Sequence, residues 1–107
     1  MPSSVTPIPP VGGEPVIELE GLLVCHDDAE AALVAELLPT HLALTLAEPG
    51  CLSFAVRPTD DPLIWSVSER FSTAESFHAH QARVSASEWG VATVSIERRY
   101  TVTGLEV

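Results

Sequence analysis

An α+β domain built on one antiparallel sheet, in the order strand, helix, strand, strand, helix, strand, is the architecture this sequence predicts. Three observations lead to it. Four runs alternate apolar and polar residues with the period of a strand, two intervening stretches carry helical periodicity behind capping residues, and Pro/Gly clusters punctuate the joins. With 107 residues, 46% hydrophobic and 19% charged, the chain has material for a single small core.

Residues 1–15 hold five of the nine prolines and no apolar periodicity, which predicts an arm outside a domain spanning 16–107. Val16 to Val24 reads as the first strand, with Glu18 and Glu20 interrupting its apolar residues. Asp27 and Asp28 then cap a helix running to about Ala47, with Leu33, Leu37, His41 and Leu44 on one face and Val34 beside them. Pro39 removes a backbone hydrogen bond inside it, so a kink or two abutting pieces is expected. Glu48, Pro49 and Gly50 stop the helix, and all three are assigned to chain architecture.

Leu52, Phe54 and Val56 alternate with Cys51, Ser53, Ala55 and Arg57 in a second strand. A turn from Pro58 to Pro62 leads to the third, where Leu63, Trp65, Val67, Glu69 and Phe71 share a face. Ser72 and Glu75 suggest a capping box for a helix over Thr73–Ala86, with Phe77, His80 and Val84 in one stripe and His78 well off it. Glu88, Trp89 and Gly90 read as a terminal turn or short helix, Trp89 as a lid or edge residue. Ser95 to Thr103 closes the domain with Ile96, Arg98, Tyr100 and Val102 facing one way.

Two split crossovers of these lengths describe a ferredoxin-like βαββαβ fold with spatial strand order four-one-three-two. Cys25 and Cys51 then lie on strands separated by the third, roughly 9 to 10 Å apart, which disfavours a disulfide. The helices cover the apolar sheet face. The other face, with Glu18, Glu20, Arg57, Arg70, Glu97 and Arg99, meets water or the same face of a second subunit.

Five arginines, no lysine and fifteen acidic residues give a net charge of -10, which repels nucleic acid and anionic membrane surfaces. No apolar run approaches the roughly 20 residues that cross a bilayer. The N-terminus lacks a secretory pattern and two cysteines make no framework, so a cytoplasmic protein is expected.

The run EPGCLSF after the first helix, the strand ending in Ser-Glu-Arg-Phe, and the Ser-Phe-His-Ala-His helix resemble the antibiotic biosynthesis monooxygenase family, which includes quinol monooxygenases. The resemblance covers about Val16 to Thr103. It implies a homodimer, a dimeric α/β-barrel with helices outside, and oxidation of a phenol or quinol by O2 without metal or flavin cofactor. The family also contains haem-degrading enzymes and domains without demonstrated activity. The chain contains no asparagine, so it lacks the one haem degraders carry near their start.

Oxidation without a cofactor makes the substrate the reductant. The site then needs a base, a hydrogen-bonding or cationic partner for the anion, and an aromatic wall. His80 is the candidate base, and Glu69 orients it or acts as base itself. Trp65, Arg98 and Tyr100 are candidate substrate-binding residues on the same sheet face. Each has a plainer role: an interior histidine bonded to Glu69, a buried ion pair, a core tryptophan, an ordinary ion pair with a nearby acid for Arg98, a core cap for Tyr100. His78 and His80 point about 200 degrees apart on a helix, which argues against a metal site. A non-catalytic barrel that binds a small hydrophobic ligand or a protein partner is the alternative function, and a haem-binding or haem-degrading relative is a lesser one.

Overall fold

The computed structural model describes residues 16–105, so the expected arm at 1–15 lies outside the described residues. The elements are β1 (Ile17–Val24), α1 (Asp28–Leu46), β2 (Cys51–Pro58), β3 (Ile64–Phe71), α2 (Ala74–Ala86), α3 (Glu88–Ala92) and β4 (Glu97–Thr103). The strands form one antiparallel sheet in the order β2-β3-β1-β4, the ferredoxin-like arrangement expected. Cys25 and Cys51 are free thiols at the ends of β1 and β2, which β3 separates.

Alternation directs Ile17, Leu19 and Leu23 of β1, and Val67 and Phe71 of β3, into one core beneath the helices. On the opposite face Arg70 pairs with Glu18 at 3.3 Å and Ser68 donates to Glu20 at 2.7 Å, both exposed. Such exposed pairs stabilise little. They leave this face polar.

Several local expectations change in the folded chain. Asp27 caps α1 by accepting from the Glu30 amide, but the helix runs unbroken through Pro39. Pro39 and Ala35 are both exposed, so the carbonyl that loses its helical partner lies on the solvent side. Because the phase continues, Val34, His41 and Thr45 are buried, whereas Leu44 is 49% exposed. With 19 residues and a mean hydropathy of 1.3, α1 also reaches the length and apolarity of a bilayer-crossing helix, contrary to the reading by run length. It packs here against β2 and α3 as one layer of the domain.

In β2 a register shift between Cys51 and Ser53 puts Leu52 out of alternation, leaving it 54% exposed. The capping box of α2 is Thr73 with Ser76, not Ser72 with Glu75. Ser72 is still tied to the sheet, its amide donating to the Gly50 carbonyl at 2.8 Å, so the chain turns into the helix one residue later.

That contact depends on Gly50, which has φ +86°. A Cβ there would stand 2.5 Å from the Ser76 Cβ, at the start of α2. Both the left-handed conformation and the close approach require glycine. Gly50→Ala is therefore expected to destabilise the fold by about 1–3 kcal/mol, measured by urea unfolding.

Candidate functional site

The helical stripe of α2 brings Phe77 and His80 down onto the sheet, and β3 raises Glu69 toward them at an alternating position between Leu19 of β1 and Phe54 of β2. His80 and Glu69 are both buried, 2% and 5% exposed. His80 Nε2 and Glu69 Oε1 stand 3.8 Å apart, beyond hydrogen-bond reach. The imidazole is instead bonded through Nδ1 to Glu48 Oε1 at 2.7 Å. Its partner is thus the glutamate at the end of α1, one residue before the Pro49–Gly50 stop.

Glu48 is held in turn. Arg83, one helical turn beyond His80, donates from Nε to the other Glu48 oxygen and from Nη2 to Thr45 Oγ1 at 3.1 Å. Among the described residues Glu69 Oε1 has no hydrogen-bond partner, although it is buried. A buried carboxylate without a donor is unfavourable when ionised, and burial, reinforced by the Glu48 charge, pushes the Glu69 pKa up to about 7. Burial also lowers the His80 pKa, with its bond to Glu48 pulling part of the way back. Near neutral pH the pair is a neutral imidazole facing a carboxyl group that is only partly ionised.

Glu69 and His80 line a cavity of about 310 Å³ whose other walls include His41, Phe54, Trp89 and Tyr100. That volume lies at the lower end of small-ligand sites. His41 stacks on Trp89 with ring centres 4.4 Å apart and planes 4° from parallel, and meets Phe54 edge-on at 5.3 Å. The stack forms because α3 is packed directly on the end of α2: a Cβ on Gly90 would lie 1.9 Å from the Val84 carbonyl oxygen. His41 is a neutral ring, its pKa lowered to about 4 by burial first and then by the charges of His80, Arg83 and Arg98. Its Nδ1 is buried and has no partner among the described residues.

Of the residues singled out from the sequence, Glu69, His80, Arg98 and Tyr100 line this one cavity. Among the described residues Arg98 pairs with no carboxylate; its guanidinium donates to the carbonyls of Thr93 and Ile96 at 2.7 and 3.0 Å and to Thr93 Oγ1 at 2.9 Å. Burial raises the Tyr100 pKa to about 12, keeping its hydroxyl a donor. Trp65 does not line the cavity. It lies two alternations away from Glu69 along β3, opposite Leu23 and Pro58, and packs on the core.

Sequence reasoning passed over Glu48, His41, Arg83 and Trp89. The spacing of His80 and Arg83 puts both on one side of a helix, but it does not say which acid meets them. Trp89, expected as a lid or edge, is buried at 6% exposure. Among the described residues no group of three or more His, Cys, Asp or Glu is arranged to hold a metal ion.

A family model for antibiotic biosynthesis monooxygenase matches residues 24–89. No curated protein matches. Solved structures do: a conserved protein of unknown function from Bacteroides thetaiotaomicron, 16% identical with a TM-score of 0.65, aligns over 82% of this chain and 95% of its own. The Rv0793 protein of Mycobacterium tuberculosis is 21% identical with a TM-score of 0.64, over 83% and 93%. A Deinococcus radiodurans protein provisionally named an antibiotic biosynthesis monooxygenase is 20% identical with a TM-score of 0.65, over 87% and 94%. At such identities the structural likeness speaks for the fold. The family match, covering more than half of the sequence, goes further: this chain belongs to the antibiotic biosynthesis monooxygenase family.

Proposed function

We propose that the protein is a monooxygenase that oxidises a small electron-rich aromatic, a phenol or quinol, with O2 and without metal or flavin, acting as a cytoplasmic homodimer. The observation that carries this reading is the facing pair of His80 Nε2 and Glu69 Oε1, 3.8 Å apart in an aromatic-walled cavity. The gap is shorter than two hydrogen-bond lengths. A single phenolic oxygen about 2.8 Å from each atom therefore fits between them.

The neutral imidazole accepts the phenolic proton at Nε2, leaving an anion rich enough in electrons to reduce O2. Protonated Glu69 donates a hydrogen bond to that anion, and Tyr100 offers a second donor on the cavity wall. A phenol free at its para position becomes a quinone. One oxygen atom enters the ring, the other leaves as water, and the substrate supplies all four electrons. His41, Phe54 and Trp89 shape the flat wall against which such a ring can stack.

The polar sheet face, with its exposed Arg70–Glu18 pair, supplies a self-complementary surface for the dimer. Two free thiols fit a reducing compartment. Light scattering at micromolar concentration is expected to give twice the monomer mass; monomer alone would count against the assembly.

Oxygen uptake with a panel of hydroquinones and polycyclic phenols is expected to exceed the metal-stripped buffer control, and His80→Ala to lower turnover by about 100-fold or more. No turnover with any panel member would overturn the quinol assignment. The rate should fall as pH rises through about 7, where Glu69 loses its proton, and Glu69→Gln, which keeps a donor at every pH, should abolish that decline.

Stability offers a second measure of the same carboxyl group. Its folded pKa is raised from 4.5 to about 7, so the folded state binds the proton more tightly. The resulting stabilisation is present below about pH 4.5 and is lost as pH rises through about 7. His41 acts oppositely, destabilising the fold as pH falls from 6.5 toward 4. Relative to wild type, the Glu69→Gln variant should therefore gain up to about 3 kcal/mol in unfolding free energy between pH 4 and pH 8. Urea titrations across that range check it.

A further inference from the structure

We infer that Glu48 is the positioning residue that holds the His80 ring proton on Nδ1 and so leaves the Nε2 lone pair turned toward Glu69 and the cavity. The inference rests on His80 being the base proposed above, and it goes further by assigning a role to a residue at the end of a different helix. His80 can act as a base in the cavity only in one of its two neutral tautomers. Nothing within the imidazole itself selects that tautomer.

The geometry points to Glu48 as the selector. Its Oε1 lies 2.7 Å from Nδ1, whereas among the described residues Nε2 has no partner closer than Glu69 at 3.8 Å. Its other oxygen accepts from Arg83 Nε, so the carboxylate plane cannot turn away without breaking both contacts. Arg83 is fastened to the Thr45 hydroxyl at 3.1 Å, and Thr45 is wholly buried. The ring is further confined by Phe71, with centres 4.9 Å apart, and by Phe54 at 5.8 Å. A carboxylate accepting at Nδ1 stabilises the Nδ1–H form and the imidazolium that follows proton abstraction. This is the logic by which a buried acid supports a histidine base in hydrolytic triads.

Glu48→Gln separates orientation from packing because it preserves shape. Its amide oxygen is drawn to the Arg83 donor, which turns the NH2 toward Nδ1 and favours the Nε2–H tautomer. Long-range proton–nitrogen spectra of 15N-labelled, ligand-free protein read the tautomer directly. Wild type is expected to show the proton on Nδ1 of His80, and the Glu48→Gln variant to shift it to Nε2. With a phenol that wild type turns over, kcat should fall about 100-fold or more, with KM changed less than about threefold.

A wild-type spectrum with the proton on Nε2 would overturn the inference, as would a Glu48→Gln variant that keeps the wild-type tautomer. The wild-type spectrum decides the point even if the variant does not fold. A shifted tautomer with undiminished turnover would leave the hold of Glu48 on the ring standing and remove His80 as the base. If no phenol is turned over, the spectra alone judge Glu48.

Discussion

The hydrogen bond between Glu48 and His80 is the contact on which the interior of this protein depends. It joins the end of α1 to the middle of α2 across the helical layer, and Arg83 and Thr45 brace it from the same two helices. A buried imidazole and a nearly buried carboxylate each lose hydration on folding, and each recovers a partner only if the helices meet in this register. The chain enforces the meeting twice over. Gly50 turns α1 into β2 against the first turn of α2, and the Ser72 amide ties the start of α2 to that same turn.

With Glu48 committed to His80 and Arg83, Glu69 is left as the buried acid without a donor among the described residues, and the cavity collects the consequences. Its ionisable groups are biased toward neutrality by the loss of water, most strongly at Glu69 and His41. A site of this kind suits chemistry in which the substrate becomes the anion. The guanidinium of Arg98 keeps its charge at the cavity wall while donating to the carbonyls after α3.

The family-matched segment itself carries His41, Phe54, Glu69, His80 and Trp89 of the cavity wall. The family match rests on residues 24–89, whereas Arg98 and Tyr100 reach the cavity from β4, beyond that segment. Phe54, Trp89 and His41 are equally compatible with binding a flat apolar ligand without turning it over. What distinguishes the catalytic reading is the pair of polar atoms without a partner among the described residues, Oε1 of Glu69 and Nδ1 of His41, in a wall that is mostly aromatic and aliphatic.

The fold was legible in the sequence because its signals are local: alternation marks the strands, Asp27 marks a helix start, and Pro49–Gly50 marks a stop. The same alternation put Glu69, Arg98 and Tyr100 on the helix-covered face, and helical phase put His80 there too. Errors arose where one position answers to two demands. Thr73 became the cap because Ser72 was held by the sheet, Leu52 left its face at a register shift, and Pro39 sat on the solvent side where its missing bond costs little. Trp65 shares the parity of Glu69 but lies two alternations further along β3, and parity carries no information about position along a strand. The partner of His80 was out of reach for the same reason. Residue types and periodicity name a buried imidazole that requires an acid, whereas Glu48 and Glu69 are separated only by the three-dimensional distances of 2.7 and 3.8 Å, set by how the end of α1 packs on α2.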